Sequence, residues 1–174
     1  MREAYAFTRE PRGPLLRELL TVALGECRFL GLISQAQRFP TLDDRAQSAL
    51  DDAFLEEKRV TQWPGARLGG DLTATLRLFH YSPEVMSAVV HTSDSLFAWH
   101  NPDLPDDPHL LRSDGSHWMG STTVHDPEVW LHLDPKEYAN LLDEHPHLAS
   151  SLQPGLISLP EDVHGRGRGG NGHG

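Results

Sequence analysis

A chain of 174 residues is long enough for one domain of ordinary size, which buries about two-thirds of its unfolded surface and needs no metal or disulfide staple. Fifteen Lys and Arg against 25 Asp and Glu leave a formal charge of −10, which repels phosphate backbones, argues against a general nucleic-acid binder and favours a basic partner. The single cysteine, Cys27, excludes an intramolecular disulfide and a multi-thiolate zinc site and suits a reducing compartment, so a cytoplasmic location is expected.

The opening MREAYAFTREPRG is charged and has no small-residue cleavage site. The apolar run from Leu15 to Ile33 is interrupted by Arg17, Glu18, Glu26 and Arg28. Neither a signal peptide nor a membrane span is expected. Residues 1–13 read as a flexible segment, 14–160 as a single α+β domain, and the glycine-dominated 161–174 as a disordered tail.

Pro14 can open a helix, and Leu15, Leu16, Leu19, Leu20, Ala23, Leu24, Cys27 and Leu30 recur at helical spacing, which predicts one long helix with a break at Gly25 or Gly31. Thr41 and Asp44 resemble a capping box. Leu42, Ala46, Ala49, Leu50, Ala53 and Phe54 trace the apolar stripe of a second helix ending near Arg59. TATLRLFHY then alternates as a strand, Ser82-Pro83-Glu84 starts a short helix, and LFAWH is a second strand. The proline- and aspartate-rich segment 101–108 is expected to be a surface loop.

HLLRS, HWMGSTTV and VWLHL supply three more strands, joined by an Asp114-Gly115 turn and an Asp126-Pro127 turn. Asp134-Pro135-Lys136-Glu137 has the N-cap, first-position proline and acid of a helix start, and HLASSL is a last helical piece. The expected architecture is α+β: a small, mostly antiparallel sheet of about five strands with helices packed on one face.

Even-length hairpin loops assign the faces. Leu111, Trp118, Thr122, Val124, Leu131 and Leu133 form a core side. Arg112, His117, Met119, Ser121, Thr123, His125, Trp130 and His132 form the opposite side, whose Trp, Met and Arg are interface-anchoring residue types. Arg112, Met119, His125, Trp130 and His132 are therefore the candidate interface. His125, His132 and Thr123, the last placed opposite His132, are the candidate catalytic groups, with His100 as a further general base.

Several chemistries lack their parts. His117 and His125 are eight residues apart on one strand, about 27 Å, too far to share an ion. Ser121 and Thr123 have no nucleophile elbow or oxyanion loop around them. The cluster Asp143-Glu144-His145-Pro146-His147 has metal-ligand density, but Pro146 makes it a helix end, where His suits the exposed carbonyls. No phosphate-binding loop, CxxC or HExxH occurs, so no cofactor and no metal are expected. Asp43, Asp44, Asp51, Asp52, Glu56 and Glu57 make the second helix strongly acidic, with Asp103, Asp106 and Asp107 adding to the charge.

These features point first to a protein-binding or regulatory protein, an immunity- or antitoxin-type inhibitor, as bacteria use, of a basic partner protein. The alternative is a small enzyme using a histidine of the outer sheet face as general base. The oligomeric state is not legible.

Overall fold

The computed structural model describes residues 1–123 and 126–154 and the backbone of 162–163. In chain order the elements are β1 (Glu3–Phe7), α1 (Pro14–Glu26), β2 (Phe29–Ser34), α2 (Asp44–Ala53), β3 (Phe54–Val60), β4 (Gln62–Trp63), β5 (Ala66–Leu68), β6 (Ala74–His80) and α3 (Pro83–Thr92). After a 3-10 turn at Leu96–Ala98 come β7 (Asp106–Leu111), β8 (His117–Thr122), β9 (Glu128–Leu133), α4 (Pro135–Glu144), α5 (Pro146–Ser150), β10 (Leu152–Pro154) and β11 (Asp162–Val163).

The class is α+β and the main sheet is antiparallel, but it has eight strands where about five were expected, in the order β10-β1-β9-β8-β7-β2-β6-β3. A second sheet, β11-β5-β4, mixes one parallel and one antiparallel pairing. The extra strands come from segments whose patterns mislead. FLGLIS continues the apolar run of α1 without a charge, as a central strand covered on both faces does, and it lies between β6 and β7 instead of extending the helix. FLEEKRV shows no alternation because six of its seven residues are exposed, and it forms the sheet edge instead of the end of α2. Residues 3–7, expected within a flexible segment, pair with both β9 and β10 and bury Tyr5. LFAWH, expected as a strand, is the 3-10 turn and its exit.

Helix starts follow their capping chemistry. Ser82 accepts from the Val85 N–H, and Asp134 and Glu137 form a reciprocal capping box. α2 is capped by Asp43, accepting from Ala46, and not by Thr41.

The five helices of the described residues all contribute to one core cluster. Leu16, Leu19 and Leu20 of α1, Leu50 of α2, Val85 and Val89 of α3, Leu141 of α4 and Leu148 of α5 meet Leu30, Leu32, Phe79, Leu110, Met119 and Leu131 of the sheet. Tyr81, at the end of β6, ties α1 down by donating its hydroxyl to the Leu20 carbonyl at 2.7 Å. A smaller cluster joins Trp63, Ala66 and Leu68 of the β4–β5 hairpin to Ile33, Ala74 and Leu76 of the sheet.

One close approach fixes how β2 and β7 meet. Gly31 lies opposite His109, and a Cβ at Gly31 would lie 2.1 Å from the buried His109 Nε2. Gly31→Ala is therefore expected to cost about 2 kcal/mol, lowering the melting temperature by roughly 4–8 °C, with partial recovery in Gly31→Ala/His109→Ala. Thermal unfolding of the three proteins followed by circular dichroism checks this.

Candidate functional site

The strand pairings decide which expected site residues reach solvent. Met119 pairs with Leu131, Gly120 with Trp130, Ser121 with Val129 and Thr122 with Glu128, leaving residues 123–127 between the paired ends. That connection is odd in length, whereas an even loop was expected, so the β8 positions exchange faces. Met119 and Ser121 turn to the side of Leu131 and Val129, and Thr122 joins Trp130 on the other. A shift between Leu110 and Leu111 leaves Trp118 as the extra residue of a bulge, which keeps it in the core beside Met119.

The candidate interface is thereby corrected. Met119 is 1% exposed, Trp130 2% and Arg112 7%, so none of them offers an anchor to a partner. Trp130 does lie on the face away from the main core, yet that face is covered: a Cβ at Gly120 would come within 2.4 Å of the Trp130 ring, and one at Gly65, in the β4–β5 turn, within 2.5 Å. Two glycines thus leave the slot the indole fills. His125 lies outside the described residues. Thr123 is not opposite His132; its backbone N–H donates to Asp107 at 3.3 Å.

Arg112 is a structural clamp. Its two terminal nitrogens donate to the carbonyls of His117 and His132, each at 2.6 Å, and one also reaches Glu137 at 3.1 Å. The guanidinium so joins β8 and β9 to the first turn of α4. The register also brings imidazoles of neighbouring strands together. His109 and His117 are edge to face with centroids 5.9 Å apart, and His132 is close enough that its charge disfavours protonation of His117. Burial holds both His117 and His132 below the ordinary imidazole range, with Arg112 and Arg2 adding to the effect on His132.

Burial pulls His109 furthest, down to about 4 from 6.5, against the opposing effect of its Nδ1 contact with the Asp107 carbonyl. The unfolded chain takes up this proton at a higher pH than the folded one. Its contribution to stability is complete above pH 6.5 and is lost as pH falls toward 4, with a slope of up to about 1.4 kcal/mol per pH unit. Urea unfolding at several pH values is expected to show that slope, and His109→Gln to reduce it.

Segment 101–108 is likewise not wholly a surface loop. Asp106 and Asp107 begin β7 at 0% and 1% exposure. Asp106 accepts from the Asn101 backbone N–H at 2.9 Å and from its side-chain amide at 2.5 Å, while Asp107 accepts from the Trp63 indole at 2.9 Å. Trp63 thus fastens the β4–β5 hairpin to the sheet. His100 is exposed, its Nδ1 3.0 Å from the Asn101 carbonyl. At the end of α4, His145 meets Glu18 of α1 at 3.3 Å, a helix-end role. Among the described residues, no group of three His, Cys, Asp or Glu side chains is placed to hold a metal ion.

The acidic stretch is open to solvent. Asp43, Asp44, Asp51 and Asp52 of α2 and its cap are all exposed, as are Glu56 and Glu57 of β3, and between them stand Phe54 at 46% and Leu55 at 52% exposure. Accepting from the Ala46 N–H holds the Asp43 carboxyl below the usual range, helped by His91, which bridges α3 to α2 at 3.1 Å. Beside this bridge a cleft of about 440 Å³ runs between the two helices, lined by small residues (Ala46, Ala49, Ser87 and Ala88) together with Arg45 and Glu84.

Comparison with known proteins finds no matching family model, no matching curated protein and no matching solved structure. The surface chemistry alone therefore carries the functional reading. Among the described residues no helix is long and apolar enough to cross a membrane.

The exposed acids were legible in the sequence. The neighbouring pair Phe54-Leu55 was missed as surface, because Phe54 continues the apolar stripe of α2. The only available signal was the dense charge on either side of the pair.

Proposed function

We propose that the protein is an acidic protein-binding regulator, of the inhibitor type, which engages a basic partner through the α2 surface and its continuation at Phe54 and Leu55. The observation that carries this reading is the concentration of six exposed acids and two exposed large apolar residues between positions 43 and 57. Carboxylates of one sign steer a cationic partner and fix its orientation, while desolvated apolar groups hold it once docked. An acidic surface of this kind can occupy the cationic substrate site of an enzyme and so keep an anionic substrate away.

The cleft between α2 and α3 fits the same reading, since its small-residue lining admits a long side chain and Asp43 and Glu84 lie beside it. The general-base alternative has less support, because Thr123 and His132 are not cross-strand partners.

The experiment is affinity capture from lysate of the native cell at low and at high salt. The wild-type chain is compared with Asp43→Asn/Asp44→Asn/Asp51→Asn/Asp52→Asn. The reading expects a basic protein captured by the wild type, weakened by salt and lost with the four acids. Capture that is indifferent to both salt and the substitutions overturns it.

A further inference from the structure

β3 is the last strand of the main sheet, and among the described residues no strand pairs with its outer edge. An open edge offers unpaired backbone donors and acceptors to any extended chain, and edge strands are commonly defended by charge, proline or a bulge. β3 contains no proline, and its irregularity lies at the start, between Phe54 and Glu56. Its charge is arranged in an order that matters: Phe54-Leu55-Glu56-Glu57-Lys58-Arg59-Val60 places two acids before two bases.

We propose that β3 pairs antiparallel with β3 of a second copy, joining two main sheets into one. Antiparallel pairing sets the acidic half of one strand against the basic half of the other. With the twofold axis at Glu57, two Glu56–Lys58 pairs flank one Glu57–Glu57 contact, whose carboxylates are each met by Arg77 of their own chain at 2.7 Å, and Phe54 meets Val60; with the axis at Lys58, two Glu57–Arg59 pairs flank one Lys58–Lys58 contact. A parallel arrangement would instead stack acid on acid and base on base. Opposite charges directly across a sheet stabilise the pairing and like charges oppose it, so two opposite-charge pairs against one like pair favour the antiparallel orientation over a parallel one in which every charged pair is like.

The local balance also distinguishes this edge from the acidic α2. The chain carries −10, but β3 is neutral, so a basic strand would meet Lys58 and Arg59 as well as the two acids. Repulsion between the remaining charges of the two copies is screened beyond about 8 Å at physiological ionic strength. The inference does not depend on the proposed function, but the two share Phe54, Leu55, Glu56 and Glu57, so a second copy on β3 and a partner reaching past α2 would compete for that strand.

Sedimentation velocity of the full chain, from low micromolar to hundreds of micromolar, tests it. The expected result is a concentration-dependent dimer. Glu56→Lys/Glu57→Lys and Lys58→Glu/Arg59→Glu should each weaken the dimer by about tenfold or more, and a mixture of the two variants should form a heterodimer tighter than either homodimer. The quadruple exchange should restore self-association, a readout that loss of folding would not produce. A wild-type chain that stays monomeric throughout overturns the proposal. So does a dimer that both double variants leave at wild-type affinity, because another surface then forms it.

Discussion

Trp130→Ala is expected to cost about 3–5 kcal/mol of folding stability, a fall of roughly 6–20 °C in melting temperature. The indole is 2% exposed and fills a slot between Gly120 of the neighbouring strand and Gly65 of the β4–β5 turn. Truncation removes its buried surface and leaves a cavity lined by backbone at those two glycines, which cannot close without moving the hairpin. An interface anchor would behave differently: stability would hold and binding would fail. Thermal or urea unfolding of the isolated variant separates the two. Trp130→Phe should recover part of the loss.

Arg112→Ala is the second large effect, expected to cost about 3–4 kcal/mol. Two strand carbonyls, of His117 and His132, lose charge-assisted donors at 2.6 Å, and Glu137 is left without the guanidinium that shares its carboxylate with the Asp134 and Glu137 capping box. Glu137 is partly exposed, which keeps the cost near the lower end of that for breaking a buried pair. Arg112→Lys should recover less than half, because one ammonium cannot reproduce the planar fork that spans β8 and β9. Urea unfolding midpoints for the two variants check both statements. The C-terminal half of β9 and the start of α4 should lose amide-exchange protection first.

The helix starts were legible because capping is local. Ser82-Pro83-Glu84 and Asp134-Pro135-Lys136-Glu137 each carry the donor and acceptor chemistry of a first turn within four residues. Strand membership was less legible because it is set by distant partners. FLGLIS reads like the continuation of α1 until β6 and β7 are known to flank it, and EAYAF reads as an end segment until β9 and β10 claim it.

The candidate site failed at one odd-length connection. Parity transfers the β8 side chains from Met119 to Thr122 to the other face, so Met119 moved from expected surface to core, while Trp118 stayed inside through the bulge. Trp130 kept its face, but that face was not free. The hairpin QWPGARL, whose Pro64-Gly65 turn and alternating Trp63, Ala66 and Leu68 were not read as strands, covers it. The acids of α2 are exposed as their pattern implies, because exposure of a dense charge run needs no tertiary knowledge.

The central claim is that α2 is the face a basic partner meets. Photo-crosslinking in the native cell tests it most directly, with a photoreactive residue at Ser48, exposed on α2, and another at Asn140, exposed on α4. The account predicts a salt-sensitive adduct to a basic protein from position 48 and none from position 140. Adducts from position 140 with none from position 48 would contradict it.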